Sequence, residues 1–251
     1  YLDDARNVLL NPATLNYHKD FVTMEWGDTS AATDAAGTPR AEGGMFKASG
    51  NMVYGLYFGS ESNTSNGLRG MAGVDAEQNN TDFFVAGDAG VQWGARLHYA
   101  SAKDESAAVS QEHDNFGLGL GMMMGDIEGY ANIILSDESK GGASAGDKFE
   151  ANGLNLGASY NLNGTKFYVD YDKSGYDDTV GSNKEEQTDT VLTVGVGRIH
   201  EVSSTARLNM DISYVSMKEK WEQTGSTSEE DKESYMPWVM SQSDNHFSTN
   251  P

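Results

Sequence analysis

Apolar and polar residues alternate along most of the chain after residue 18, and this period of two constrains the fold more than any other feature. In GLNLGASYNL, residues 153–162, every second side chain is apolar. Successive side chains of a strand lie on opposite faces, so such a segment has one apolar and one polar face. The same split recurs in VTMEW, NMVYGLYF, VQWGARLHY, NFGLGLGMMM, IEGYANIIL and RLNMDISY. We therefore predict an all-β protein.

The connections between these segments fall into two alternating kinds. Short polar turns are predicted at residues 49–50, 87–90, 125–126, 163–164 and 201–204, and long polar connections at 28–42, 60–81, 103–114, 136–149, 173–188 and 218–233. If each strand is antiparallel to the one before it, all short turns lie at one rim of the sheet and all long loops at the other. Outer-membrane barrels have this asymmetry, with short periplasmic turns and longer extracellular loops.

The composition agrees with a barrel that crosses a membrane with strands. Only 37% of the residues are apolar, and no run approaches the roughly 18 apolar residues of a membrane-spanning helix. In hydrocarbon every backbone N–H and C=O must be paired within the protein, so a spanning sheet must close. We predict a transmembrane antiparallel up-and-down β-barrel over residues 18–251. It has about twelve strands, or about fourteen if one more hairpin follows residue 251.

Charge and residue usage exclude several classes of function. The net charge of −21 with only 17 Lys and Arg argues against binding nucleic acid, because phosphate contacts need clustered basic side chains. The chain has no cysteine, and its five histidines are far apart, so we expect no thiolate or metal site and no cofactor. GLGLG, residues 117–121, is not followed by a helical pattern and indicates glycines on the inner face of a curved strand. We expect no covalent chemistry.

Polar residues on the inward side of the strands are the candidate lumen lining. They are Glu25, Gln92, Arg96, His98, Glu128, Asn132, Asn155, Lys166, Asp170, Asn209 and Asp211. Mixed charges on facing walls would set a transverse field and a size filter for solutes. The other interpretation is that these side chains pair with one another and fill the barrel.

Residues 1–17, YLDDARNVLLNPATLNY, break the period of two. DDARNVLL has the pattern of a short helix that ends before Pro12, because the residue preceding proline avoids the helical region. Two interpretations stay open from these residues. The segment is a plug folded into the barrel, or it is a periplasmic arm that enters the first strand.

DDARNVLLNPATL, residues 3–15, resembles the N-terminal signature of the FadL-type long-chain fatty-acid transporter superfamily, which includes PorV-type proteins. The resemblance implies an outer-membrane barrel of about fourteen strands with the N-terminal segment folded into the lumen as a hatch. Asn11, Pro12 and Ala13 would belong to that hatch.

Three functional hypotheses follow. The first is a FadL-like channel or passive transporter for small or hydrophobic solutes in the outer membrane of a Gram-negative cell, in contact with its lipid. The second is a PorV-like barrel that does not transport and docks a protein partner through its long acidic extracellular loops. The third is a soluble β-protein.

Overall fold

Strands make up most of the chain, which the computed structural model describes over residues 7–27, 40–105, 110–141, 146–203 and 206–243. Helix α1 spans Asn7–Leu10, a 3-10 helix spans Pro12–Tyr17, and helix α2 spans Asn63–Ala72. The strands are β1 (Phe21–Gly27), β2 (Arg40–Ser49), β3 (Met52–Phe58), β4 (Thr81–Asp88), β5 (Gln92–Asp104), β6 (Gln111–Met124), β7 (Ile127–Lys140), β8 (Lys148–Leu162), β9 (Thr165–Val180), β10 (Asn183–Ser203), β11 (Ala206–Gln223) and β12 (Ser226–Ser243).

The twelve strands of the described ranges form one sheet in which each strand pairs antiparallel with the next. This order confirms the predicted up-and-down topology and strand number. β1 and β12 are the edge strands, and the described residues contain no pairing between them, so the sheet is open. Pro237 lies in β12, opposite Ile212 of β11. Its missing N–H is tolerated there because an edge strand is hydrogen-bonded on one side only.

The two faces of the sheet differ as the alternation predicts. Along β6, residues 113, 115, 117, 119 and 123 are buried, whereas residues 114, 116, 120, 122 and 124 are exposed. We call the exposed apolar side of the strands the outer belt. It includes Val22, Met24, Trp26, Met45, Tyr54, Phe58, Phe83, Leu97, Tyr99, Phe116, Leu120, Met122, Met124, Ile127, Leu135, Leu156, Tyr160, Leu162, Phe167, Val169, Leu192, Val194, Met210 and Ile212. The opposite side is the inner face. No helix in the described ranges is long and apolar enough to cross a membrane.

Three of the predicted long connections are wrong, because the strands continue through them. Residues 173–188 contain the end of β9 and the start of β10, joined by a turn at Gly181, whose φ is +62°. Residues 218–233 likewise contain β11 and β12, joined at Gly225, and most of residues 136–149 belongs to β7 and β8. Most residues are polar on both faces there, apart from inward apolar residues such as Phe149 and Tyr176, so the alternation is lost although the hydrogen-bond ladder continues.

Ion pairs replace apolar residues on the outer side of these hairpin extensions and of the ends of β5 and β6 that meet at residues 103–114. Lys184 Nζ lies 3.0 Å from Asp177 Oδ1, and Lys103 Nζ lies 3.0 Å from Glu112 Oε1 on the paired strand. The side chains of both lysines are more than half exposed, at 60% and 51%. Opposite charges across a strand pair stabilise a sheet in water, whereas exposed charges in hydrocarbon are costly. The outer belt therefore ends where these ion pairs begin.

We expect a charge in the middle of the outer belt to destabilise the protein in lipid. Leu120 lies at the centre of β6 and its side chain is 46% exposed. Leu120→Arg should lower the free energy of unfolding in lipid vesicles by about 2–4 kcal/mol, measured by denaturant titration. Ser216→Arg, where the belt ends on β11, is the matched control and should cost at most about 1 kcal/mol. Equal effects at the two positions would contradict the assignment of the belt.

Candidate functional site on the inner face of the sheet

The N-terminal segment, residues 7–17, packs against the inner face. Val8 and Leu15 are fully buried and form a hydrophobic cluster with residues of β2, β3 and β4. The strand members of that cluster are Phe46, Val53, Tyr57, Phe84 and Ala86. The prediction of a polar inner face is therefore wrong for the part of these three strands that the segment covers, where the inward residues are apolar.

Side chains of the sheet satisfy the end of helix α1. The last carbonyl groups of a helix have no partner within it. Arg96 Nη1 donates to the carbonyl oxygen of Leu9 at 2.7 Å, and Asn132 Nδ2 donates to that of Leu10 at 2.9 Å. Asn16 of the 3-10 helix donates to the carbonyl oxygen of Trp93 at 3.2 Å. Two of the predicted inward residues thus bind the N-terminal segment.

The residues of the NPA motif lie at the closest contact between the segment and the sheet. The Asn11 side chain accepts from the backbone N–H of Ala13 at 3.1 Å and caps the 3-10 helix. A Cβ atom at Gly94 would lie 2.3 Å from the carbonyl carbon of Pro12, and one at Gly121 would lie 2.0 Å from Asn11 Oδ1. These inward glycines of β5 and β6 are what allow the backbone to approach so closely.

A second segment crosses the inner face from the opposite rim. Residues 59–80, which we call the inner loop, connect β3 to β4 and contain helix α2. The Ser62 side chain caps the helix by accepting from the N–H of Ser65, and Gly73 ends it in the left-handed conformation. Leu68 packs against Phe149, Ala151 and Tyr176 of β8 and β9. The loop therefore reaches from β3 and β4 to strands far along the sheet.

A buried ion pair fixes the inner loop in this position. The side chains of Arg69 and Asp137 are fully buried and bonded to each other. Arg69 also donates to Ser139 Oγ at 2.7 Å, and its guanidinium lies 5.4 Å from the centre of the Phe149 ring. Asp137 faces inward because β7 has a bulge between Ile134 and Asp137, which changes the side on which the following residues lie.

A network of four charged or titratable side chains lies between the inner loop and the N-terminal segment. Arg96 Nε donates to Asp82 Oδ1 at 2.7 Å, and His98 Nδ1 lies 2.9 Å from the same oxygen. His98 Nε2 lies 3.6 Å from Glu77 Oε1 of the inner loop. Glu77 also accepts from the backbone N–H of Ser62 at 2.8 Å. The network joins the inner loop to β4 and β5.

Further pairs of predicted inward residues meet near the other end of the strands. Lys166 Nζ lies 3.0 Å from Glu128 Oε2, and Asn155 Nδ2 donates to both oxygens of Asp170 at 3.1 and 3.2 Å. Asp211 accepts from the Tyr168 hydroxyl at 2.7 Å. Four of the predicted side chains thus pair with one another and Asp211 pairs with Tyr168, and their role in lining a pore stays a prediction.

The structure brings the other predicted residues into no common cluster. Glu25 lies on the inward side of β1, opposite Glu42 of β2 in the register. Gln92 lies at the start of β5 and Asn209 on β11, both half-buried on the inner face.

Sequence reasoning missed four residues of this site. Asp82 follows the alternation of β4, so the period of two was a usable signal for it. Glu77, Arg69 and Asp137 lie in stretches interpreted as solvated loops. The one sequence signal concerned Arg69, which stands out because it is the only Lys or Arg between Lys47 and Arg96.

Comparison with known proteins finds similar solved structures but no matching family model or curated protein. No protein-family model matches the chain, and no curated protein matches it significantly. Among solved structures it is similar to a loop L8 deletion mutant of OmpT, an outer membrane protein of Vibrio cholerae, with 11% identity and a TM-score of 0.45 over 86% of this chain and 74% of that one. In-vitro folded OmpT of the same species has 11% identity and a TM-score of 0.47 over 87% and 72%.

An anion-selective porin from Comamonas acidovorans has 18% identity and a TM-score of 0.41, covering 74% of this chain and 52% of the porin. The chain thus spans about half the length of that porin. At such scores these likenesses carry no argument about activity, so the assignment rests on the geometry of this chain. An up-and-down antiparallel sheet with an apolar outer belt is the architecture of an outer-membrane β-barrel protein.

We expect loss of the buried ion pair to release the inner loop. Removing one partner of a buried pair leaves an uncompensated charge and costs about 3–5 kcal/mol. Arg69 is the only Lys or Arg in residues 59–80, so trypsin cleavage after Arg69 reports opening of the loop. Asp137→Ala should raise the cleavage rate at least about tenfold, a change that needs about 1.4 kcal/mol.

The control for this experiment is Asp20→Asn, which removes the exposed ion pair between Asp20 and Lys47. That variant should be cleaved after Arg69 at the rate of the unmodified protein. Unchanged cleavage in Asp137→Ala would show that the ion pair does not hold the loop.

Proposed function

We propose that the protein is a FadL-like channel or passive transporter for small or hydrophobic solutes, with a lumen narrowed from both ends. One observation carries the proposal: the N-terminal segment and the inner loop are both bonded to the inner face of the sheet instead of extending into solvent. A barrel used only as a membrane anchor needs no such segments. The proposal assigns no covalent chemistry to the protein.

The contacts of the N-terminal segment support the hatch interpretation over the periplasmic arm. Two side chains of the wall donate hydrogen bonds to the segment, the Asn16 side chain donates one to the wall, and the hatch residues Asn11, Pro12 and Ala13 are buried. An arm in the periplasm would have no reason to bury a proline and an asparagine against inward glycines. Movement of the hatch would break hydrogen bonds of modest net strength and the apolar contacts of Val8 and Leu15, but not the backbone ladder of the sheet.

The chemistry of the inner face supports a route for small solutes. The wall beside the N-terminal segment is apolar where the hydrophobic cluster of β2–β4 meets it, whereas Asp82 of β4 and residues of β5–β9 form charged pairs. A solute passing between the segment and the wall meets both kinds of surface. Charged side chains held on a rigid sheet create a fixed field across the passage, which selects solutes by charge and size.

The hairpin extensions favour a second candidate, a PorV-like barrel that docks a protein partner. Strands β9–β12 continue past the outer belt, and their turns at Gly181 and Gly225 lie beyond the last belt residues. Their outer sides carry exposed charges such as Lys184 and Lys218, each paired with a carboxylate. Copurification of a stoichiometric partner from gently solubilised membranes, with no solute flux through the isolated protein, would favour this candidate.

We expect displacement of the N-terminal segment to increase conductance. Gly94→Val places a side chain where the Pro12 backbone lies, since even a Cβ atom would be 2.3 Å from its carbonyl carbon. Single-channel conductance of the purified full-length protein in planar bilayers should rise several-fold in this variant. Retained heat-modifiable gel migration would show that the variant still folds as a barrel.

Gly129→Ala is the matched control, because its Cβ would make ordinary contacts at 3.6 and 3.7 Å. Its conductance should equal that of the unmodified protein. Large, constant conductance of the unmodified protein would reject the hatch, and absence of any solute flux in both proteins would reject the channel.

A further inference from the structure

A buried histidine lies where the inner loop meets the sheet. His113 is on the inward side of β6 and is 7% exposed. Its neighbours along the strand are Glu112, whose ion pair with Lys103 lies beyond the outer belt, and the exposed Asp114. His113 is therefore outside the part of β6 that faces lipid. None of the contacts described above uses this side chain.

The ring of His113 accepts a hydrogen bond from the inner loop. The backbone N–H of Gln78, close to the end of the loop, donates to His113 Nε2 at 3.4 Å. A ring nitrogen can accept a hydrogen bond only while it carries no proton, because both ring nitrogens are donors in the protonated form. Protonation would place two N–H groups against each other at this contact. The contact between the loop and β6 therefore requires the neutral imidazole.

The residue that fixes the inner loop lies next to this ring. Ser139 of β7 is directly opposite His113 in the register, and Arg69 Nη1 donates to Ser139 Oγ at 2.7 Å. Directly opposite residues of an antiparallel pair have Cβ atoms about 4.5–5.5 Å apart. A protonated ring would thus bring a second positive charge beside the fully buried guanidinium of Arg69. Such a charge would weaken the position of the loop.

Burial and charge together keep the ring neutral. The pKa of His113 is held below its ordinary value of 6.5, first by burial of the ring and then by the positive charge of Arg69. Glu77 and Asp75 of the inner loop and Asp114 of β6 act in the opposite direction, but they do not reverse the shift. The closed loop therefore favours the unprotonated histidine.

Further charged residues lie around a cavity of ≈ 290 Å³ that His113 lines together with Arg69. They come from β5–β9 and from the connection before β8, and they are Lys103, Glu112, Lys140, Asp147, Lys148 and Asp178. Each of these lysines is paired with a carboxylate. Arg69 is thus the nearby positive charge that a protonated His113 would meet on the inner side.

We propose that His113 makes the inner loop an acid-opened latch, in which the neutral ring accepts the Gln78 N–H and the protonated ring breaks that contact and repels Arg69. Because the pKa of His113 is lowered in the closed state, protons bind the open state more strongly. Closure is strongest above about pH 6.5, weakens as the pH falls below that value, and levels off below the lowered pKa. Acid opening would widen the lumen on the side of the inner loop, a consequence that rests on the proposed function.

Trypsin cleavage after Arg69 at about pH 7.5 and about pH 5.5 tests the latch in the full-length protein. A free peptide of residues 65–73 contains the same Arg–Gly bond, and dividing by its cleavage rate removes the pH dependence of trypsin itself. The corrected rate should rise about three- to tenfold at the lower pH, since one group with an ordinary pKa of 6.5 changes the open population at most about tenfold over this range. No rise would overturn the proposal.

Two variants at His113 and one control assign the effect to this ring. His113→Gln keeps an oxygen that can accept the Gln78 N–H and takes up no proton, so its corrected rate should stay at the low level at both pH values. His113→Lys carries a permanent charge and should be cleaved rapidly already at about pH 7.5. His200→Gln removes an exposed histidine of β10 and should show the same rise as the unmodified protein. Heat-modifiable gel migration checks the fold of each variant.

Two of these outcomes would overturn the latch. One is a rise in His113→Gln equal to that of the unmodified protein, because another group would then be responsible. The other is slow cleavage of His113→Lys at about pH 7.5, because a positive charge at this position would then not release the loop.

Single-channel conductance at the same two pH values separates this inference from the proposed function. Cleavage that increases in acid with no conductance at either pH would reject the channel and leave the latch in place. Conductance that increases in acid equally in the unmodified protein and in His113→Gln, with no change in cleavage, would reject the latch and leave the channel in place.

Discussion

The backbone hydrogen-bond ladder is the constraint on which the rest of the structure depends. In a membrane, each N–H and C=O group must find its partner within the protein, and an antiparallel sheet supplies those partners strand by strand. Because successive side chains lie on opposite faces, the ladder also separates an apolar outer belt from an inner face. The candidate site described above lies on that inner face because of this geometry.

The inner face is not a uniform polar lining, because two segments occupy it. The N-terminal segment is bonded through its helix carbonyls to Arg96 and Asn132, and the inner loop is held by the pair of Arg69 with Asp137. The first set of bonds is partly exposed and the second is fully buried. The N-terminal segment is in addition held by the buried side chains of Val8 and Leu15, so both segments are fixed to the wall by buried contacts.

Glycine allows both segments to approach the wall. Gly94 and Gly121 lie under the N-terminal segment, while Gly117, Gly119 and Gly153 line a small cavity beneath the inner loop. In a strand that faces only water or lipid, such glycines would weaken the sheet, and no segment would make close contact with it in compensation. Here they give the inner face its shape, and the side chains around them give it its chemistry.

The sequence by itself determined the strands of the outer belt, their antiparallel order and the side on which residues such as Lys166 and Asp170 lie, because a period of two is a local property. It did not determine the length of the hairpins, since the outer face becomes polar beyond the lipid and the period is lost while the ladder continues. Nor did it determine the site. The contacts of Arg69 with Asp137, Glu77 with His98 and Leu9 with Arg96 join residues distant along the chain. Only the folding of two segments onto the sheet, and one bulge in β7, brings them together.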